Sequence, residues 1–314
     1  MIRTQRRSAY LAFAALAALA SKPLSAHPAW GIVVDHSGQV YFSDLETVWR
    51  IDPLGRLSVA RSGLSGRHVH ELAIDDQGNV YGPDYEYVSE AAGFRTALWR
   101  LDSSGRVTYT VPPGRTLPRG ASIWRDRAGN TYSVEEDNHL KRETLLVKRS
   151  ARGEVTPLAG GRYGFADGTG SHAQFSNIAA LTIGQQALFV TDGSAVRKVS
   201  FTGVVSTLAR NLDTDKNAQR PLSFAGLMGL AVGPTGDVYV ADFRNRRVLK
   251  VTAKGVVSVL QRCDPPWTPT GVALAPNGDL HVLEIGFEPP GTWLKPRIRK
   301  LSSRGVTTTE AIVK

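Results

Sequence analysis

The chain is poor in the features that would assign it quickly to a class. It has a single cysteine, Cys263, so no disulfide can form within it and its core must hold unaided even in an oxidising compartment. No stretch shows a sustained helical period, which leaves an α/β architecture without support. After residue 26 no apolar run approaches the roughly 20 residues that a bilayer demands. There is no Gly-x-Ser-x-Gly, no zinc-protease helix motif and no paired CxxC. The glycine-rich stretch GGRYGFADGTGSHAQF (160–175) lacks Gly-Lys-Ser/Thr and a strand-to-helix setting, which argues against a phosphate loop. It reads as a connector turning at Asp167-Gly168.

What is present begins with residues 1–26, which read as a secretory signal. Arg3, Arg6 and Arg7 precede the twelve apolar residues AYLAFAALAALA (9–20), and Ala26 or Ala20 offers a cleavage point. The expected product is a secreted or periplasmic protein of residues 27–314 with no integral membrane segment. Four bases (Arg3, Arg6, Arg7, Lys22) and no acid leave with the signal, so the formal charge falls from +10 to +6. An exported, mildly basic chain is not expected to bind nucleic acid, while acidic glycans and envelope surfaces stay open as partners.

The mature part is built from one repeated unit. An apolar strand, a polar turn with glycine and a second strand ending in an acid recur as GIVVDHSGQVYFSD (31–44), ELAIDDQGNVYGPD (71–84), SIWRDRAGNTYSVE (122–135), AALTIGQQALFVTD (179–192), GLAVGPTGDVYVAD (229–242) and GVALAPNGDLHVLE (271–284). A second hairpin follows each, turning at Gly55, Gly105, Gly153, Gly203, Gly255 and Gly305, with a base (Arg50, Arg100, Lys148, Lys198, Lys250, Lys300) five residues earlier. Two hairpins every 50 residues or so predict an all-β fold: a six-bladed β-propeller with four antiparallel strands per blade. Blade limits are expected near 27–61, 62–112, 113–160, 161–210, 211–262 and 263–314, and closure of the ring should need no exchanged strand.

The segments GLAVGPTGDVYVADFRNRRVLKV (229–251) and GRYGFADGTGSHAQFSNIAAL (161–181) resemble NHL repeats, and the blade is similar to that of the related gluconolactonase and regucalcin group. Naming the strands of each blade A to D, the insertions at 83–96, 135–145 and 284–296 follow strand B, and those at 159–177 and 210–227 follow strand D. Up-and-down topology puts all of them on one rim, where a binding site is expected.

Candidate site residues emerge as exceptions among aligned blades. Strand A starts with Gly31, Glu71, Ser122, Ala179, Gly229 and Gly271, so Glu71 alone brings a carboxylate. With His68 and His70 beside it, and Asp84, Tyr85 and Glu86 in the same blade, it is able to serve as a base or as a ligand to a divalent cation. The metal set expected is Glu71, His70 and Asp84. A glutamate satisfied by a neighbouring base on a solvated loop is the equally weighted alternative. The acids ending strand B (Asp44, Asp84, Glu135, Asp192, Asp242, Glu284) are expected to be mostly structural, with Asp84 and Glu284 the exceptions because they head long insertions. Trp30, His68, Tyr85, Glu86 and Glu284 complete the expected ligand rim, with Trp293 a further aromatic group nearby. His281, aligned with Tyr41, Tyr81, Tyr132, Phe189 and Tyr239, is expected to be a core histidine with a satisfied hydrogen bond.

Two functions follow as expectations. One is an exported propeller binding a small molecule, glycan or peptide at the rim of B–C and D–A loops. The other, implied by the resemblance, is a metal-dependent hydrolase of the lactonase type, whose family holds one divalent cation through a glutamate, an asparagine and an aspartate. Glu71 matches the glutamate, but the Asn-Gly that opens a strand A in that family is replaced by Met228-Gly229 and Thr270-Gly271. An amidating-lyase activity is disfavoured, because the disulfides of that family need more than one cysteine.

Overall fold

A computed structural model describes residues 28–89, 93–137, 143–214, 226–288 and 292–313. The expected signal segment and parts of the insertions lie outside these residues, and the Trp293 side chain lies outside what is described. No helix among the described residues is long and apolar enough to cross a membrane.

The repeats fold as aligned. Blade one pairs Ile32–Val34, Val40–Ser43, Val48–Ile51 and Leu57–Arg61 in chain order, antiparallel throughout. The same order recurs in blades five (Leu227–Val232 to Val257–Arg262) and six (Trp267–Leu274 to Thr307–Ile312). Blade four (Ile178–Ile183 to Val204–Ala209) has it too and adds Gly168–Thr169 of the preceding connector beside its strand D. One cross-strand pair proves the common register. Tyr41 faces Arg50, Tyr81 Arg100, Tyr132 Lys148, Phe189 Lys198, Tyr239 Lys250 and His281 Lys300. The six C–D turn glycines have φ between 81° and 92°, a left-handed conformation that side chains avoid.

Each junction between neighbouring blades has its own apolar cluster. Val33, Val48, Val80 and Trp99 join blades one and two; Tyr81, Leu98 and Ile123 join two and three. Tyr132, Leu146, Phe175 and Leu188 join three and four; Phe189, Val196, Leu230 and Val240 join four and five. Val248, Val272 and Val282 join five and six, and Ile32, Phe42, Leu283 and Ile298 join six to one. The ring thus closes on six sheet-to-sheet interfaces, and blades one and six each keep their own strands.

Two blades depart from the simple repeat. In blade three the described ladder has three strands, Thr131–Asp137, Glu143–Arg149 and Val155–Gly160, and strand A is reduced to a bridge between Arg125 and Thr131. The Ser122 hydroxyl accepts the Trp124 N–H at 3.2 Å, a local turn that competes with strand pairing. In blade two strand A is split into Arg67–His68 and Ala73–Ile74, both paired to Val80–Ser89. The insertion of that blade extends the B–C hairpin itself, with pairing out to Ser89 and Gly93.

Around the axis the inner strands are unequally spaced. A Cβ on Gly31 would lie 2.8 Å from the Glu71 carbonyl carbon, and one on Gly229 would lie 2.9 Å from Gly271 Cα. A Cβ on Gly271 would collide with the carbonyl oxygen of Trp30. Glycine therefore lets the backbones of blades five, six, one and two meet. Blades two, three and four carry Glu71, Ser122 and Ala179 at the same level, and a cavity of about 350 Å³ opens beside them.

Candidate functional site

Glu71 sits in the gap of the split strand A. Between the pairs His68–Tyr85 and Ala73–Tyr81, four residues of strand A stand against three of strand B, a bulge that frees 69–72 from the ladder. The His70 carbonyl is redirected to blade one, where it accepts N–H groups of Trp30 (2.8 Å) and Gly31 (2.9 Å). The next side chain, Glu71, lines the cavity of blades two to four.

Two neutral donors hold its carboxylate: the Tyr85 hydroxyl donates to Oε1 at 3.3 Å and Trp124 Nε1 donates to Oε2 at 3.2 Å. Among the described residues no lysine, arginine or histidine forms an ion pair with it. Burial pushes the Glu71 carboxyl above its ordinary range, and the bonds from Trp124 and Tyr85 offset only part of that rise. Tyr85 in turn is raised well above the ordinary phenol value by burial and by the Glu71 charge. A carboxyl with a raised pKa at a cavity wall is suited to hydrogen bonding, to ion pairing with a ligand, or to proton transfer.

The walls are aromatic and apolar: Trp30, Tyr85 and Trp124, with Leu117, Ile178 and Leu181. His70 packs behind them, stacked on Trp30 (ring centroids 5.5 Å apart) and tilted against Tyr85 (5.6 Å). Two wall residues, Trp30 and Ser133, carry buried polar atoms, Nε1 and Oγ, that have no hydrogen-bond partner among the described residues.

The expected metal set is not brought together. Asp84, 1% exposed, is engaged by Arg61 (2.7 Å), Trp99 Nε1 (3.1 Å) and the Tyr109 hydroxyl (3.1 Å). No group of three His, Cys, Asp or Glu side chains among the described residues is placed to hold a metal ion. The described donors therefore do not form a divalent-cation site at Glu71. The histidines also diverge: His68 meets His70 edge-on at 5.9 Å, yet lines a separate cavity of about 220 Å³ between blades one, two and six.

Two residues of the expected rim are engaged by bases. Glu284 is fully buried, paired with Arg297 at 2.6 Å and accepting from Gln261 (3.0 Å) and the Cys263 thiol (3.2 Å). Glu86 forms a surface pair with Arg67 at 3.4 Å. Heading an insertion did not free Asp84 or Glu284, which are as buried as Asp192 and Asp242, acids that head none. The other strand-B acids are structural as expected. Asp44 accepts backbone N–H groups of Glu46 and Thr47, Asp242 that of Asn245, and Asp192 those of Ser176 and Asn177; Glu135 pairs with Arg119. His281 is buried with Nδ1 2.7 Å from Glu310, a satisfied core histidine.

Trp124 is the site residue that sequence reasoning missed. A signal existed: it occupies the strand-A position filled by Val33, Ala73, Leu181, Ala231 and Ala273 in the other blades, all smaller.

No family model matches the chain and no curated protein is similar to it in sequence, so the NHL resemblance rests on its motifs. Solved structures do resemble it. A gluconolactonase of Xanthomonas campestris is 15% identical over 85% of each chain with a TM-score of 0.54. A luciferin-regenerating enzyme is 15% identical over 81% of this chain and 82% of its own, TM-score 0.52. A streptogramin B lyase is 16% identical over 94% of this chain and 86% of its own, TM-score 0.50. What this chain shares with these enzymes is the β-propeller fold, gluconolactonase-like propellers among them.

Proposed function

We propose that the chain is an exported propeller that takes a small organic molecule into the cavity of blades two to four, with Glu71 as the polar anchor. One observation carries this reading. Glu71 is a half-buried carboxylate with no described cationic partner, held at the wall of an aromatic cavity with acceptor positions left for a ligand. A metal-dependent lactonase is the weaker reading, since Asp84 and Glu284 are committed to Arg61 and Arg297.

The test is a fragment screen of neutral sugars, lactones, short peptides and amines, read by tryptophan fluorescence, because Trp30 and Trp124 line the cavity. Ala179, an exposed wall residue, is replaced by Phe to fill the space. Hits that bind wild type and lose affinity in Ala179→Phe, with unchanged thermal stability, are expected. Hits indifferent to the substitution would place binding elsewhere, and a stoichiometric divalent metal in purified protein would restore the lactonase reading.

A further inference from the structure

Resting on that reading, we propose that the ligand is an organic cation, an ammonium group carried on a compact apolar or aromatic body. The inference comes from what the site already has and what it leaves over. An ionised carboxylate offers about four acceptor positions. Glu71 uses one on each oxygen, for Tyr85 and Trp124, and both bonds are long, at 3.3 and 3.2 Å. Acceptor capacity therefore remains on the same wall as the cavity, and none of its negative charge is neutralised by a described base.

The surroundings select among possible donors. A neutral hydroxyl would satisfy a lone pair but leave the charge uncompensated. A hydrated metal ion needs further oxygen or nitrogen ligands, which no group of described side chains supplies. An ammonium needs one carboxylate and prefers aromatic faces for the rest of its shell, since ring quadrupoles attract cations. Trp30, Tyr85 and Trp124 are the three aromatic residues of this wall, and Leu117, Ile178 and Leu181 provide apolar contact for the body of the molecule. An anion is disfavoured, because it would face Glu71 with no described base to offset it.

The experiment uses wild-type protein and three probes of one shape: phenethylammonium, phenethyl alcohol and phenylacetate. Binding is followed by calorimetry and by tryptophan fluorescence. The cation should bind at least roughly tenfold more tightly than the alcohol, in line with a charge-assisted hydrogen bond, and phenylacetate should not bind. Glu71→Gln should remove that preference and leave cation and alcohol equal. Tyr85→Phe, which keeps the carboxylate and the ring, should retain it. Equal binding of cation and alcohol by wild type would overturn the cation inference and leave the ligand-binding reading standing. Failure of the cation while sugars or lactones bind would do the same. A cation preference that persists in folded Glu71→Gln would place the recognition on another group and overturn the assignment. Failure of all three probes and of the fragment screen would remove both readings.

Discussion

Replacing Arg197 by Ala should be the most damaging single change in blade four. Its side chain is fully buried and the two terminal nitrogens of its guanidinium donate to four acceptors. Nη1 donates to the Gln174 carbonyl (2.6 Å) and to Asp192 (2.8 Å); Nη2 donates to the Ala166 carbonyl (2.6 Å) and to Asp167 (2.9 Å). Strand C is thereby tied to both arms of the 160–175 connector. Removing the arginine strands Asp192, itself 1% exposed, without its cation. Breaking a buried pair from one side costs about 3–5 kcal/mol. The two carbonyls add up to ~1–3 kcal/mol each when left unmet, less whatever entering water returns. Asp192 keeps donors from Ser176 and Asn177, which favours the lower end, so the net loss should be about 4 kcal/mol. At ~2–4 °C per kcal/mol for a domain of this size or slightly less, the melting temperature should fall by roughly 8–16 °C. Urea unfolding followed by circular dichroism measures the loss, and limited proteolysis should report new cleavage between 161 and 175. Arg197→Lys keeps a charge but cannot span four acceptors, so it should rescue only part. Pairing Arg197→Ala with Asp192→Asn should cost at least ~1 kcal/mol less than the sum of the single changes. A loss below ~1 kcal/mol with an unchanged cleavage pattern would refute the clamp.

Two further outcomes are expected. Gly271→Ala should destabilise by about 3 kcal/mol or more, the upper end for overpacking, because its Cβ meets the Trp30 backbone rather than a mobile side chain; a neutral result in urea unfolding would mean blades six and one separate easily. Burial raises the Glu71 carboxyl in the folded state, so the native protein holds this proton more tightly than the unfolded chain. Its contribution therefore falls as pH rises from the ordinary carboxyl range, 4.5, through the raised value. Glu71→Gln escapes that loss, so its melting temperature should gain on wild type over this window; a difference that does not change with pH would show the carboxylate to be well solvated.

The architecture was legible because it depends on features that repeat locally. A glycine needed at φ near 85° in each C–D turn and an aromatic residue facing a base in each B–C pair mark the register before any tertiary contact is known. Where a local interaction competes with the ladder, the repeat misleads. Ser122 and Trp124 read as the opening of an ordinary strand A, yet the Ser122 hydroxyl takes the Trp124 N–H and the strand shrinks to a bridge.

The site was legible in one residue and illegible in its company, for a reason of distance along the chain. Glu71 stood out by comparison with its five counterparts, which needs only alignment. Its partners could not be read that way: Trp124 lies 53 residues away, in the next blade, where strand A is reduced to a bridge. Asp84 looked like a free acid because its partners, Arg61 and Tyr109, lie 23 and 25 residues off in different strands. The location of the cavity, by contrast, follows from the strand-A residues once the ring is closed. Glycine at 31, 229 and 271 lets the inner backbones meet from blade five through six and one to Glu71 of blade two. The cavity opens beyond that contact, along the side chains of Glu71, Ser122 and Ala179, where strand A starts without glycine. The residue that breaks the small-residue rule thus lines the space with a carboxylate that keeps acceptor capacity to spare. A substitution to Gly there would remove charge and side-chain volume together, which is why Gln, keeping the volume and losing only the charge, is the change that tests the charge alone.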